Sequence, residues 1–212
     1  MELQPGQLWV TVTVVARNGT PGSDVIQKGP LPMTTSIDPN RVDVMIASDE
    51  IAARVQQLAA QISADYAGKQ PLIIGVLKGA WIFLADLVRQ LTVPVRCDFV
   101  RVTSYGAGTE TSGQPKLLLD VAESVAGADV LVVDDILDTG ISAAWLLDHL
   151  QQKNPASVRL CVLLDKSERR RVPVSSDYVG FSIPDRFVVG YGLDCGEQFR
   201  ELPFIGHVKG EG

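Results

Sequence analysis

"VLVVDDILDTGIS", residues 130–142, places three aspartates, a threonine, a glycine and a serine directly after an aliphatic run. A short aliphatic run of this kind predicts a buried strand, and "ISAAWLLDHLQQ" from Ile141 predicts the helix that follows it. The loop "DTGIS" then lies between the carboxyl end of a strand and the N-terminus of a helix. Because α/β folds bind ligands at that edge of the sheet, the stretch predicts both a fold class and a ligand site.

The rest of the chain repeats the alternation of strands and helices. Further strands are predicted at "PLIIGVL" (71–77), "VRCDFVRV" (95–102), "DVLVV" (129–133) and "SVRLCVLL" (157–164). Helices are predicted after Ser48, which is expected to be an N-cap, and over "AWIFLADLVRQL" (80–91). This alternation predicts an α/β fold with a mainly parallel central sheet flanked by helices.

The first 37 residues differ from the rest in composition. They are rich in Gly, Pro, Ser and Thr and have no sustained hydrophobic period. We therefore predict an extension over residues 1–37 and one domain over residues 38–212. The stretch "LWVTVTVV" is compatible with an added strand or with an overlong start site, with Met33 as the natural beginning.

Charge and composition exclude several classes of protein. The net charge of -6 argues against a general nucleic-acid binder, and the basic run "ERRR" at 168–171 is interpreted as a solvated loop. No apolar run reaches the roughly 18 residues of a membrane span, and the start lacks a basic secretory signal. Three cysteines and two histidines stand in no metal-ligand spacing. We expect a cytoplasmic protein without a membrane or nucleic-acid partner.

The residues of the loop favour a phosphorylated sugar as the ligand. Backbone N–H groups at such a turn, with the hydroxyls of Thr139 and Ser142, form a cradle for an anion that the helix dipole reinforces. Asp134 and Asp135 would repel a phosphate, but they suit sugar hydroxyls or a magnesium ion beside it.

Other interpretations of the aspartates fit less well. A response-regulator receiver begins with a similar acidic pair, but only 77 residues follow Asp135 and no matching phosphoacceptor strand is found. A haloacid-dehalogenase motif needs aspartates two apart, whereas Asp135 and Asp138 are three apart. No Walker A sequence occurs, and helix-capping acids would explain one aspartate but not three.

Taken together, these motifs resemble those of type I phosphoribosyltransferases, and of the hypoxanthine-guanine phosphoribosyltransferases in particular. "VLVVDDILDTGIS" is similar to the family's phosphoribosyl pyrophosphate signature. Four more segments match in order and spacing: "GVLKGAWIFLADL" (75–87), "SYGAGTETSG" (104–113), "LLDKSERR" (163–170) and "DYVGFSIPDRFVVGYGLDCGEQFRELPFIG" (177–206). The resemblance covers residues 38–208. It implies the type I phosphoribosyltransferase fold, with a small hood and a flexible lid loop.

The implied reaction transfers a phosphoribosyl group from phosphoribosyl pyrophosphate to hypoxanthine or guanine, with Mg²⁺ as the cofactor. Asp138 would be the general base at purine N7. The residues that the resemblance assigns to phosphoribosyl binding are Asp134, Asp135, Asp138, Thr139, Gly140, Ile141 and Ser142. Those assigned to pyrophosphate are Lys78, Gly79 and Arg200, with a Leu77–Lys78 peptide that is often cis in the family.

The resemblance also assigns the lid, the purine pocket and the metal ligands. Ser104 and Tyr105 would lie in the lid, and Asp134, Asp135 and Asp194 would be metal ligands. The purine-binding residues would be Lys166, Phe187, Val188 and Asp194. Lys166 only donates hydrogen bonds, so it favours a 6-oxopurine over adenine. The strand core within "RFVVGY" is the competing interpretation of Phe187 and Val188.

Two departures from the family leave details open. The family commonly has glutamate where this chain has Asp134, so contact with the ligand is either direct or through a water molecule. Cys195 replaces a common aromatic residue, which leaves open the preference among hypoxanthine, guanine and xanthine. The alternative function is an RNA-binding regulator of the same fold. The resemblance also implies a homodimer or a homotetramer.

Overall fold

The computed structural model describes residues 41–103 and 115–209 as a chain in which strands alternate with helices. A short 3-10 turn, Ser167–Arg169, follows the sixth strand. The elements in chain order are β1 (Val42–Ile46), α1 (Ser48–Asp65), β2 (Leu72–Leu77), α2 (Trp81–Gln90), β3 (Arg96–Thr103), β4 (Lys116–Leu119), β5 (Asp129–Leu137), α3 (Ile141–Gln151), β6 (Ser157–Asp165), β7 (Tyr178–Ser182) and β8 (Ile205–Val208).

Six strands form the central sheet in the order β4-β3-β2-β5-β6-β7. Every neighbouring pair is parallel except β3 and β4, so the predicted mainly parallel α/β fold is confirmed. From β2 the chain continues to β3 on one side, and from β5 it continues to β6 and β7 on the other side. The carboxyl ends of β2 and β5 therefore flank the topological switch point, where such sheets bind ligands.

The central strands are buried on both faces because alternate side chains point to opposite sides of the sheet. Ile73 and Leu131 lie in the core shared with α1 and α2, whereas Ile74 and Val132 lie in the core shared with α3. Burying one such side chain stabilises a fold by roughly 1.5–3 kcal/mol. The strand ends that carry the polar loops are thus anchored in two well-packed cores.

Strand β5 is longer than the sequence pattern predicted. It continues to Leu137 because β6 pairs with it as far as the register position Leu137↔Asp165. The predicted strand 129–133 therefore ends too early, and Asp134 and Asp135 lie at the carboxyl end, as predicted, but within β5. Only Asp138 and the residues after it form the connecting loop.

Helix α1 begins at Ser48, and its N-cap is Ala47, so the expectation that Ser48 is the cap is wrong by one residue. Alanine has no side-chain acceptor, and the helix start is instead stabilised by Glu50, whose Oε2 accepts the Ala47 N–H at 2.9 Å. Further along, Arg54 donates to two carbonyls of edge strand β7 at 2.7 and 2.8 Å. No helix in the described ranges is both long and apolar enough to cross a membrane.

A small hood lies beside the central sheet. Strands β1 and β8 pair with each other in antiparallel fashion as a separate two-stranded sheet. They pack with Val189, Phe199 and Leu202 in a third apolar cluster. The predicted lid residues Ser104 and Tyr105 and the predicted extension over residues 1–37 lie outside the described residues.

Candidate active site

The loop 138–140 joins β5 to α3 at the switch point of the sheet. Gly140 has a φ of 81°, and a Cβ at this position would lie 2.5 Å from a methyl carbon of Val174. Only glycine adopts this left-handed conformation without strain. The Thr139 carbonyl accepts the N–H of Arg171 at 2.9 Å, so the segment after β6 is hydrogen-bonded to the loop. The N-terminus of α3 is left facing a cavity.

That cavity has a volume of about 530 Å³, which is large enough for a small-molecule ligand. It is lined by the ends of β2 and β5, by the loop and by two arginines, Arg169 and Arg171. The predicted site residues in its lining are Lys78, Gly79, Asp134, Asp135, Asp138, Thr139, Gly140, Ile141 and Ser142. The predicted residues that lie outside its lining are Lys166, Phe187, Val188, Asp194 and Arg200.

Asp134 and Asp135 form an interacting acidic pair at this edge of the sheet. Each carboxylate accepts the backbone N–H of the next residue at 3.0 Å. Burial raises the pKa of both groups, and the charge of Asp135 raises the pKa of Asp134 further. A bound cation or hydrogen-bond donor would relieve the cost of holding two buried negative charges together.

Gly79 packs directly against this acidic pair. The Leu77–Lys78 peptide before it is cis, as the resemblance implied. A Cβ at Gly79 would overlap the Asp135 carboxylate, so the absence of a side chain is what allows the two segments to meet. The end of β2 and the end of β5 are thereby joined at one site.

The two cations assigned to pyrophosphate are neutralised by carboxylates of the chain itself. Lys78 Nζ lies 2.8 Å from Glu197 Oε2, and Arg200 Nη2 lies 2.7 Å from Asp194 Oδ1. A third contact of 3.4 Å joins Arg200 to Glu197. The hydrogen bond from Lys78 lowers the pKa of the Glu197 carboxyl. Glu197 was not singled out from the sequence, and its position shows that these groups form one closed ionic cluster.

Arg200 retains donors beyond those ion pairs. Its Nη1 donates to the Gly192 carbonyl at 2.7 Å, which fixes the guanidinium against the hood. Its Nε is buried and has no hydrogen-bond partner among the described residues. A buried donor of this kind is costly unless a ligand supplies an acceptor.

Asp138 carries a buried carboxylate oxygen, Oδ1, without a hydrogen-bond donor among the described residues. Arg169 Nε lies 3.0 Å from the same oxygen, but its N–H is not aimed at it, so the contact is an ion pair without a hydrogen bond. The Asp138 backbone carbonyl accepts from Arg170 Nη1 at 2.6 Å, which fixes the loop.

The backbone of Lys166 lies beside the end of β5, because its N–H donates to the Leu137 carbonyl at 3.0 Å. The residue is only 5 % exposed, yet its ammonium makes no ion pair or hydrogen bond with the described residues. Burying a charge without a partner is costly. A ligand oxygen beside Lys166 would satisfy it.

Phe187 and Val188 differ sharply in exposure. Phe187 is 53 % exposed and presents an aromatic face, whereas Val188 is 4 % exposed and packs into the main core. The interpretation of "RFVVGY" as a strand is wrong, because this described segment pairs with Gly206 only through an isolated bridge at Val189. The core interpretation is correct for the side chain of Val188 and wrong for Phe187.

The run "ERRR" is exposed at Glu168, Arg169 and Arg171, as predicted for a solvated loop, yet its arginines also contact the site. Arg169 pairs with Asp138, and Arg170 pairs with Asp165. The N–H of Arg171 donates to the Thr139 carbonyl in the loop 138–140. The sequence did not reveal these contacts because the acidic partners come from other segments that only the fold brings together.

The three predicted metal ligands are not brought together. The described residues contain no cluster of three His, Cys, Asp or Glu side chains arranged to hold a metal ion. Asp134 and Asp135 lie side by side, whereas Asp194 is paired with Arg200.

Comparison with known proteins agrees with this architecture. The family model described as "Phosphoribosyl transferase domain" matches residues 45–195. The chain is 44 % identical over 168 residues to the bifunctional protein TilS/HprT of Listeria innocua, covering 79 % of this chain and 26 % of that relative. It therefore spans about a quarter of the length of that bifunctional protein.

Other relatives match over nearly their whole length. The hypoxanthine-guanine phosphoribosyltransferase of Bacillus subtilis is 42 % identical over 166 residues, which are 78 % of this chain and 92 % of that enzyme. A crystal structure of a hypoxanthine-guanine phosphoribosyltransferase from Bacillus anthracis superposes with a TM-score of 0.75 at 45 % identity, covering 78 % of this chain and 98 % of that one. This chain therefore belongs to the phosphoribosyltransferase family and, within it, to the hypoxanthine-guanine phosphoribosyltransferases.

Proposed function

We propose that this chain transfers the phosphoribosyl group of phosphoribosyl pyrophosphate to hypoxanthine or guanine. The bond between ribose C1 and pyrophosphate breaks, and a bond from C1 to a purine ring nitrogen forms. The products are IMP or GMP and pyrophosphate. The observation that carries this proposal is the buried side chain of Lys166, whose ammonium has no described counter-charge and whose N–H donates to Leu137, the residue before Asp138.

The sugar phosphate would occupy the cavity at the switch point. The loop from Thr139 to Ser142 and the N-terminus of α3 line the cavity and would bind the 5′-phosphate through backbone N–H groups and hydroxyls. Asp134 and Asp135 would accept hydrogen bonds from the ribose hydroxyls. Donors there would lower the cost of the two buried charges, whose pKa values burial already raises.

The same two carboxylates fit a magnesium ion. Oxygen donors are the ligands that Mg²⁺ prefers, usually one or two carboxylates completed by substrate oxygens and water. When bound, the ion supplies positive charge to the departing pyrophosphate. Asp194 would join that set only after exchanging its ion pair with Arg200.

Pyrophosphate would be received by Lys78, by the backbone at Gly79 and by Arg200. Each cation already holds a carboxylate of the chain, so pyrophosphate would replace Glu197 and Asp194 as the counter-ion. The buried Nε of Arg200 offers a further donor for a phosphate oxygen. Stabilising the charge of the leaving group lowers the barrier to breaking its bond to C1.

Asp138 would remove the proton from N7 of the purine. Its Oδ1 accepts no hydrogen bond from the described residues, so it has capacity for the purine N–H. Lys166 would donate to the 6-oxo group, and the exposed face of Phe187 would stack on the ring. The backbone N–H and C=O groups of Val188 would contact the edge of the purine. Adenine presents an amino donor where Lys166 requires an acceptor.

The test is an assay of pyrophosphate release with phosphoribosyl pyrophosphate, Mg²⁺ and hypoxanthine, guanine, xanthine or adenine in turn. We expect turnover with hypoxanthine and guanine, and discrimination against adenine of at least about 10²-fold. The matched control is Lys166→Gln, whose amide both donates and accepts. Equal rates with adenine and hypoxanthine, or no pyrophosphate release from any purine, would contradict the proposal.

A further inference from the structure

Arg169 lies on the same turn as Lys166, the residue proposed to recognise the 6-oxo group. Its N–H donates to the Lys166 carbonyl at 3.1 Å, and this bond closes the 3-10 turn after β6. The two side chains are therefore placed by one short element. Arg169 also lines the cavity, together with the loop residues 138–142.

The guanidinium of Arg169 bridges two carboxylates from different segments. Its Nε lies 3.0 Å from Asp138 Oδ1, and its Nη1 donates to Asp185 Oδ1 at 3.2 Å. Asp185 stands two residues before Phe187, the proposed stacking residue. A planar guanidinium with several donors can hold two carboxylates at fixed angles, which an ammonium does less well.

The bridge thus connects the three segments proposed to surround the purine. Asp138 belongs to the loop after β5, Lys166 to the turn after β6, and Phe187 to the segment after β7. Catalysis by a general base depends on its placement, because an error of about 1 Å can lower a rate by roughly 10²-fold. A group that fixes Asp138 relative to the other two segments would therefore affect the chemical step.

The geometry of the ion pair also suits proton transfer. Because the Arg169 N–H is not aimed at Asp138 Oδ1, that oxygen remains available to accept a proton. When Asp138 takes the purine proton it becomes neutral, and Arg169 loses that counter-charge. Asp185 then remains as its partner, so the turn that carries Lys166 stays in place.

We propose that Arg169 is a positioning residue. It holds the carboxylate of Asp138, the general base, where it can accept the purine proton, and Asp185 fixes the Arg169 guanidinium in place. This inference rests on the proposed function, since it requires Asp138 to act as the base. The residue contributes little to folding, because its side chain is 42 % exposed and exposed ion pairs contribute little to stability.

The test is a double-mutant cycle on kcat with hypoxanthine, using Arg169→Gln in the wild-type chain and in the Asp138→Asn variant. If Arg169 acts through Asp138, its removal should lower kcat by roughly 10- to 100-fold in the wild-type chain. In the Asp138→Asn background it should lower kcat by less than about twofold, because the base is already lost. KM for phosphoribosyl pyrophosphate and the melting temperature should change little in either background.

Three further variants sharpen the cycle. Arg169→Lys keeps the positive charge but loses the planar guanidinium that contacts both carboxylates, so its kcat should lie between those of the wild-type chain and Arg169→Gln. Asp185→Asn removes the anchor and should lower kcat less than Arg169→Gln does. Arg89→Gln removes an exposed arginine paired with Asp86 on α2, away from the cavity, and should leave kcat unchanged.

The outcomes separate this inference from the proposed function. Equal losses in the two backgrounds, or an unchanged kcat in Arg169→Gln, would overturn the role of Arg169 while the proposed function stands. A loss of kcat matched by a large fall in melting temperature would also overturn it, in favour of a structural role. A wild-type chain without 6-oxopurine turnover would overturn both.

Discussion

The phosphate loop and the pyrophosphate cluster lie on either side of one switch point, yet they are built differently. The loop 138–142 is held by backbone hydrogen bonds and by Gly140, and its helix N-terminus faces the cavity. The pyrophosphate cluster, defined as Lys78, Asp194, Glu197 and Arg200, is instead closed on itself by ion pairs. On the proposed function, the 5′-phosphate would meet a site already formed, whereas pyrophosphate would have to exchange partners with the protein.

The largest effect is expected on the loop side, from Asp138→Asn. This change keeps the shape of the side chain but removes its basicity, so kcat should fall by roughly 10² to 10⁴-fold. Affinity for phosphoribosyl pyrophosphate should change little, because the backbone of the loop remains. Steady-state kinetics with hypoxanthine, together with calorimetry, would measure both. Unaltered turnover would exclude Asp138 as the base.

Gly79→Ala should disturb the contact between the ends of β2 and β5, on which both regions depend. The new Cβ would overlap the Asp135 carboxylate, so the acidic pair or the end of β2 must move. We expect kcat/KM for phosphoribosyl pyrophosphate to fall by roughly 10²-fold. Gly68→Ala is the control, because a Cβ there meets no atom within 4 Å although its φ is 76°. It should lose stability without losing affinity. Equal affinity losses in the two variants would contradict the assignment.

Lys166→Gln tests the purine pocket apart from both phosphate regions. The amide accepts as well as donates, so the preference for hypoxanthine over adenine should fall by roughly 10- to 100-fold. Binding of phosphoribosyl pyrophosphate should survive. A variant that loses this binding but keeps its purine preference would refute the pocket assignment.

Asp134→Asn should stabilise the ligand-free protein while lowering its activity. Burial and the charge of Asp135 raise the pKa of Asp134 in the folded state. The contribution of Asp134 to the free energy of unfolding is therefore greatest at low pH, where its carboxyl is protonated, and is lost as pH rises through the raised pKa. The substitution should therefore stabilise the fold at neutral pH by roughly 0.5–2 kcal/mol and have little effect in acid. Urea unfolding at both pH values measures this. Destabilisation at neutral pH would contradict the account.

The smallest effect concerns the closed state of the pyrophosphate cluster. Glu197→Gln removes the carboxylate that Lys78 and Arg200 share, so pyrophosphate should bind about 2- to 5-fold more tightly, the range expected for loss of an exposed ion pair. The gain should shrink at high salt. Binding of IMP, which lacks pyrophosphate, serves as the control and should not change. Weaker pyrophosphate binding would show that Glu197 supports the site instead of competing for it.

The sequence predicted the fold where local pattern and burial agree. The stretch from Val130 to Ser142 carries a buried strand, a glycine turn and a helix in consecutive residues, and it became β5, the phosphate loop and α3. Strands β1, β4, β7 and β8 have five or fewer residues and were not predicted. A run of four or five residues carries too weak a periodic pattern to be recognised alone, and the partners of β1 and β8 come from opposite ends of the domain.

The same reasoning applies to the site. A phosphate-binding role was predicted for the loop after β5 because its hydroxyl, glycine and acidic residues all lie within one short segment. Arg169 and Glu197 were missed because their importance comes from contacts with Asp138 and Lys78, which lie 31 and 119 residues away in sequence. The burial of Lys166 without a described partner likewise became evident only from the fold.

The most direct test of the account is a crystal structure of this chain with Mg²⁺, phosphoribosyl pyrophosphate and an unreactive 6-oxopurine analogue. We expect the 5′-phosphate on the backbone of Thr139–Ser142, and the 6-oxo group about 3 Å from Lys166 Nζ. Lys78 and Arg200 should hold pyrophosphate in place of Glu197 and Asp194, while the phosphate loop keeps its present conformation. A rearranged phosphate loop beside intact ion pairs, or a purine placed away from Lys166, would contradict the account.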